Sequence, residues 1–264
     1  MFCVKSVLPR VNLLALTNRK QLFVYISRKF TSQTIPVCPS HNLNYTTEEV
    51  EILSKTNNWV RKVIIGQHLC PFAMKPHREN SIRYVISWCS NDEELLQVFE
   101  GEVDKLIANK DNEDGKTTTS TSINPLPTTT LLILPNKKYL VNDYFSQISL
   151  SYKLMDHLTG RDLTSPETNP KSLTIVNFHP KAKHSLYATS SFADSDGSLI
   201  EDPKSYSIRS PFPTIHLLRE SDILQVLKDK VYPNPELIPD NNARKLEALG
   251  ITKVRQIWGE VGVD

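Results

Sequence analysis

The sequence predicts a single α/β domain on a four-stranded mixed sheet flanked by helices, in the order β-α-β-α-β-β-α after a leading helix. Three observations predict it. Short runs of β-branched and apolar residues alternate with segments of helical apolar spacing. The last two strand-like runs have no helical pattern between them, so an antiparallel member joins an otherwise β-α-β sheet. A length of 264 residues, 39% hydrophobic and 23% charged, suits one packed core plus extensions. Element order does not set strand order, and both a thioredoxin-like and a ferredoxin-like topology fit it.

Residues 1–45 stand apart. Up to Thr47 the chain holds six basic side chains (Lys5, Arg10, Arg19, Lys20, Arg28, Lys29) and no acidic one, with apolar runs and a Ser/Thr-rich end. That composition is a transit peptide's, directing the protein to the mitochondrial matrix, with a plastid as the alternative. Its apolar runs are interrupted by Asn18, Arg19 and Lys20 and fall well short of the ~18 residues of a membrane span. The partner implied for this segment is organellar import machinery, and no stable membrane span is expected.

The domain is expected over residues 46–250. Thr46 precedes Glu49 by three, the capping-box spacing that satisfies orphan N–H groups at a helix start, and Gly66 offers a stop. Pro71 biases Cys70 toward extended backbone. Residues 82–89 (IRYVISWC) read as the first strand, and Ser90, Asn91 and Asp92 supply caps for a helix to about residue 109. Residues 109–128 are polar, repetitive and Pro-punctuated, and read as a disordered insert. TLLILP at 130–135 reads as a strand buried on both faces. One helix is predicted over 141–158, closed by Gly160. LTIVNF at 173–178 and TIHLL at 214–218 are strands three and four, with Ser221 capping the next helix. A last helix is expected over 235–249, stopped by Gly250, and 251–264 reads as a C-terminal tail.

Charge and cysteines exclude two classes. Removing the six leading cations leaves 25 Lys and Arg against 29 Asp and Glu, so the body is mildly acidic and lacks the basic surface that neutralises nucleic-acid phosphates. Cys70 and Cys89 are the body's only cysteines, without CxxC spacing, which is thiol usage of a reducing compartment. No GxGxxG, GxxxxGK[ST] or Gly-x-Ser-x-Gly motif occurs. Cys70, His179 and His216 are ligand types zinc accepts, but no short ligand pair such as HxxxH joins them, so no metal site is assigned and no cofactor is identified.

Four blocks, GQHLCPFA at 66–73, IRYVIS at 82–87, NFHP at 177–180 and RSPFPTIHLLRE at 209–220, resemble in that order the signature blocks of the family known as domain of unknown function 1415. The resemblance runs from about Trp59 to Leu249. It implies no activity, since none is established for the family. It places Cys70, Pro71 and Phe72 in one element, His179 and Pro180 in a second, and Arg209, Ser210, Pro211, Pro213, His216, Arg219 and Glu220 in a third. The chain departs from the pattern at Ile208 and His68, where the family typically has Asn, and in the insert; Cys89 has no counterpart.

Read from the residues themselves, Cys70 on a loop and His179 at a strand end are the types of a thiolate–imidazole pair, while an unpaired buried cysteine is otherwise a small hydrophobe. His216 alternates with Ile215 and Leu217, so it faces the opposite side of the sheet, as a structural or a functional histidine. Arg209 and Arg219 flank the same strand and can grip a carboxylate or phosphate, or form an ion pair with Glu220 or Asp222. The expected site is therefore a pocket lined by Cys70, His179, Arg209 and His216, with Phe72, Ser210, Arg219 and Glu220 beside it, binding or transforming a small anionic metabolite. His179 is then general acid/base, Cys70 the nucleophile or a wall, and the two arginines hold the anion. The alternative is a non-catalytic assembly or stability factor whose blocks are turns and core.

Overall fold

The computed structural model describes residues 45–114, 127–136, 138–183, 201–228 and 237–263. The presequence reading lies outside these residues except for Tyr45, as do 115–126 of the expected insert. Helix α1, Thr47–Trp59, starts on the predicted capping box: Glu49 N–H donates to Thr46 Oγ1 at 3.2 Å, and Thr46 N–H donates to Glu49 Oε2 at 2.9 Å. It continues into a π-helical turn, Val60–Ile65. There Gly66 N–H reaches Arg61 O at 3.0 Å, five residues back. A Cβ on Gly66 would stand 2.3 Å from Lys62 O, so this turn accepts no side chain.

The remaining elements are α2 (Met74–Arg78), β1 (Ile82–Ile86), α3 (Asp92–Asp114), β2 (Thr129–Ile133), α4 (Lys138–Asn142), α5 (Tyr144–Gly160), β3 (Leu173–Phe178), a 3-10 helix (Pro203–Ile208), β4 (Thr214–Arg219), α6 (Glu220–Lys228), α7 (Ile238–Leu249) and α8 (Ile251–Gly259). The sheet is mixed and four-stranded, in the order β1-β2-β4-β3. Its first strand lies at an edge, whereas thioredoxin-like and ferredoxin-like sheets hold theirs inside. β1 and β2 are parallel, and β4 is antiparallel to both β2 and β3. Strands β1, β2 and β3 therefore run one way and finish together, with Ile86, Ile133 and Phe178 in register beside Thr214.

Pleat alternation divides the core. On one face Val85, Leu132, Ile215 and Leu217 pack under α3 and α5, against Phe99, Leu106, Leu154 and Leu158. On the other, Ile82, Leu131 and Phe178 pack under Trp59, Val63 and Leu69 and under the C-terminal helices through Leu246, Val254 and Trp258. All of β2 is buried, as a strand covered on both faces must be.

Four expectations need correction. The chain at 251–264 is not a tail: α8 buries Val254 and Trp258 completely, because Ile251, Val254, Trp258 and Val261 recur at helical spacing. Residues 109–114 and Thr128 of the expected insert are ordered: α3 runs to Asp114, and Thr128 N–H pairs with Ser81 O at 2.9 Å. The helix predicted over 141–158 is two. Asp143 leaves helical dihedrals and caps α5, accepting from Phe145 N–H at 3.0 Å and Ser146 N–H at 3.2 Å. Ser221 lies inside α6, which begins at Glu220. The last-helix prediction of 235–249 starts outside the described residues; the described helix begins at Ile238. Among the described residues no helix is long and apolar enough to cross a membrane.

Candidate functional site

The carboxyl ends of β1, β2 and β3 share one edge, and the segment entering β4 runs past it. That is where ligands collect in open α/β sheets, because the chain leaves strands there for loops. Two predicted blocks meet at this edge. His179 follows β3 directly, and its N–H donates to Ile208 O at 3.1 Å, next to Arg209. The turn then closes with Ala182 N–H on His179 O at 3.1 Å, and Arg209 Nε donates to Ala182 O at 3.2 Å.

His179 is fully buried, and both ring nitrogens face backbone. Nδ1 accepts from Lys181 N–H at 2.9 Å, so the proton sits on Nε2, which donates to Leu140 O of α4. Burial depresses its pKa; the Leu140 hydrogen bond opposes this without reversing it. A neutral imidazole tied at both ends locks α4 to the end of β3.

Arg209 is also buried, and its guanidinium carbon lies 4.1 Å from the ring centroid of Tyr206, three residues earlier on the 3-10 helix. Tyr206 in turn meets Trp258 edge-on at 5.6 Å. Arg209 Nη1 donates to Glu201 Oε1. The other oxygen, Oε2, accepts from Arg255 Nε at 2.8 Å and from the Tyr206 hydroxyl at 3.0 Å. Burial works to raise the Glu201 carboxyl, but hydrogen bonds from Arg209 and Arg255 outweigh it and hold the group below its usual range. Two cations and a phenol thus converge on one carboxylate at the sheet edge. The Arg255 side chain is 60% exposed and that of Glu201 23%, so solvent reaches this cradle.

The other predicted residues are distributed differently. Cys70 packs into the core layer that holds Phe178 and Tyr206. Burial pushes its thiol up, partly offset by the N–H groups of Phe72 and Ala73, which is the reverse of what activates a nucleophile. Phe72 is half-buried beside it. His216 lies on the face opposite Ile215 and Leu217, as alternation requires, with Phe178 at a ring separation of 6.2 Å. The Thr129 hydroxyl spends its proton on Leu217 O at 2.7 Å, so His216 Nε2 is the donor in the 2.6 Å contact between them. Burial drops the His216 pKa to about 4. Ser210 is buried and donates to Phe212 O at 2.6 Å.

Arg219 and Glu220 are at the opposite end of β4, five residues or about 17 Å along the strand from Thr214. There Arg219 Nε pairs with Asp222 at 2.7 Å, and Ser172 Oγ donates to Glu220 at 3.2 Å. The expectation that Arg209 and Arg219 hold one anion together is therefore corrected: a strand length separates them. Among the described residues no three His, Cys, Asp or Glu side chains gather as a metal-holding group. A shallow depression of about 280 Å³ lies beside the capped ends of α3 and α5, lined by Asp92, Asp143, Ser146 and Lys153 among others, and no predicted site residue lines it.

The model of a family described as "Protein of unknown function (DUF1415)" matches residues 51–256. The chain belongs to this family. No curated protein and no solved structure matches it. The DUF1415 match spans every block named above and reaches Arg255, within α8, beyond where the sequence reading ended the domain.

Three residues of the cradle escape the sequence reading: Glu201, Tyr206 and Arg255. Tyr206 and Arg209 are three apart, a spacing that stacks them on one helical face and was available to read. The Glu201–Arg255 pair joins positions 54 apart and carries no local signal.

Proposed function

We propose that the protein binds a small anionic molecule at the carboxyl edge of the sheet, with Arg209 and Arg255 as the recognising cations and Tyr206 as a third donor. The observation that carries this is the convergence of all three on two oxygens of a single carboxylate. Charge-assisted bonds of this kind are the strong ones, and guanidinium forks suit planar anions. The reading contains no catalytic step. His179 has both nitrogens committed to backbone, and the Cys70 thiol is pushed up rather than down, so the two act as framework for the cradle. A second reading, a non-catalytic assembly or stability factor, draws on the same commitment of polar atoms to the chain itself.

The test is ligand-induced stabilisation of the full chain by carboxylates and inorganic phosphate, against chloride at equal ionic strength. A ligand at ten times its Kd raises stability by about 1.4 kcal/mol. Arg255→Ala, at an exposed helical position, is expected to abolish that response with little change in the unliganded protein. Equal responses from both chains remove the cradle from consideration and leave the assembly-factor reading.

A further inference from the structure

Resting on that anion-binding reading, we infer that Glu201 is an in-chain occupant of the cradle that competes with outside ligands, and that the ligand class is a carboxylic acid. Three features point there. First, two of the three donors, Arg209 and Tyr206, are held by contacts other than Glu201. Arg209 is held by Ala182 O and by the Tyr206 ring, and Tyr206 by Trp258, while Arg255 projects from α8. Removing the Glu201 carboxylate leaves these supports standing.

Second, the cradle cannot stay empty. Arg209 is only 8% exposed, and a guanidinium at that depth without a counter-charge is strongly unfavourable. The vacated cradle is therefore a minor state, and exchanging Glu201 for another anion conserves charge. Third, Glu201 itself is the template for what fits. One oxygen takes Arg209 Nη1, and the other takes Arg255 Nε and the Tyr206 hydroxyl. The donor set is filled by two oxygens in one plane, which a carboxylate supplies and a phosphate exceeds.

The consequence is quantitative. An occupant on the same chain acts at an effective concentration of the millimolar order or above. The apparent affinity for an outside carboxylate is lowered by the fraction of molecules in which Glu201 has vacated the cradle. Weakening the occupant strengthens ligand binding, although the variant has lost a charge-assisted contact.

Acetate is the probe, titrated into the wild-type chain, Glu201→Gln, Glu201→Ala and Arg255→Ala, with sodium phosphate in parallel and chloride holding ionic strength. The expected result is an apparent Kd for acetate at least about tenfold lower in Glu201→Gln than in wild type. Phosphate is expected to bind that variant more weakly than acetate. If Glu201→Ala fails to fold, the Gln variant keeps the side chain's size and carries the comparison. Equal acetate affinity in wild type and Glu201→Gln, abolished by Arg255→Ala, overturns the competition while leaving the anion site standing. Phosphate binding as tightly as acetate overturns the carboxylate class. No response in the Glu201 variants overturns the inference and the site together.

Discussion

Two arginines flank strand β4, Arg219 as its last residue and Arg209 at the end of the 3-10 helix five residues before it, and the two are used differently. Arg219 finds its carboxylate three residues away, on Asp222 at the start of α6, and that carboxylate is 41% exposed. Arg209 finds Glu201 eight residues back and shares it with Arg255 of α8, with Tyr206 beneath. Both guanidiniums are buried, at 3% and 8% exposure, and both belong to one signature block. The first pair closes a local corner that the chain would make anyway. The second ties the end of β3, the 3-10 helix and α8 together, and it gathers two guanidiniums around a single carboxylate.

The largest expected break in this comparison is Arg209→Ala. It leaves the Glu201 carboxylate with one cation fewer, the Tyr206 ring uncovered and Ala182 O without its donor, a loss of about 2 to 4 kcal/mol. Arg219→Ala leaves Asp222, which is 41% exposed, with water as a partner, and its loss is expected to be the smaller of the two. Urea unfolding of the two variants checks the ranking. Equal costs would mean the two arginines play the same part.

A smaller effect sharpens the same contrast through pH. His216 lies between the two arginines on β4, and burial lowers its folded pKa to about 4, from about 6.5 in the unfolded chain. A depressed histidine binds fewer protons folded than unfolded, so its contribution is complete above about pH 6.5 and is lost as pH falls toward 4. His179, lowered in the same direction, adds to the loss in the same carboxyl half of the sheet. Between pH 7 and 5 the His216 share is about 1 to 2 kcal/mol after discounting for its partial exposure. His216→Gln should flatten the stability–pH slope by that amount. An unchanged slope would mean that His216 is not buried neutral.

Much of the framework was legible because its signals are local. The Thr46–Glu49 box, the β-branched strands and the alternation that sets His216 against Ile215 and Leu217 all act within a few residues. The α8 signal was present as well, in the spacing of Ile251, Val254, Trp258 and Val261, but a segment this short after Gly250 is easily read as a tail. The π-helical turn was not legible, since nothing but Gly66 marks a five-residue hydrogen-bond step. The nearness of His179 and Arg209 agrees with the sequence, which puts both in polar blocks at strand ends. The distance of Arg219 from them is not legible, since a signature block read as a string hides the length of the strand inside it. Glu201 and Arg255 escaped because their pairing depends on how α8 docks.

The most direct measurement follows the arginine side-chain Nε–H signals by NMR during an acetate titration of the Glu201→Gln chain. If the carboxyl edge is an anion cradle, the Arg209 and Arg255 signals shift together along one saturating curve while Arg219 stays in place. Shifts that are equal at all three arginines, or present at none, would contradict it.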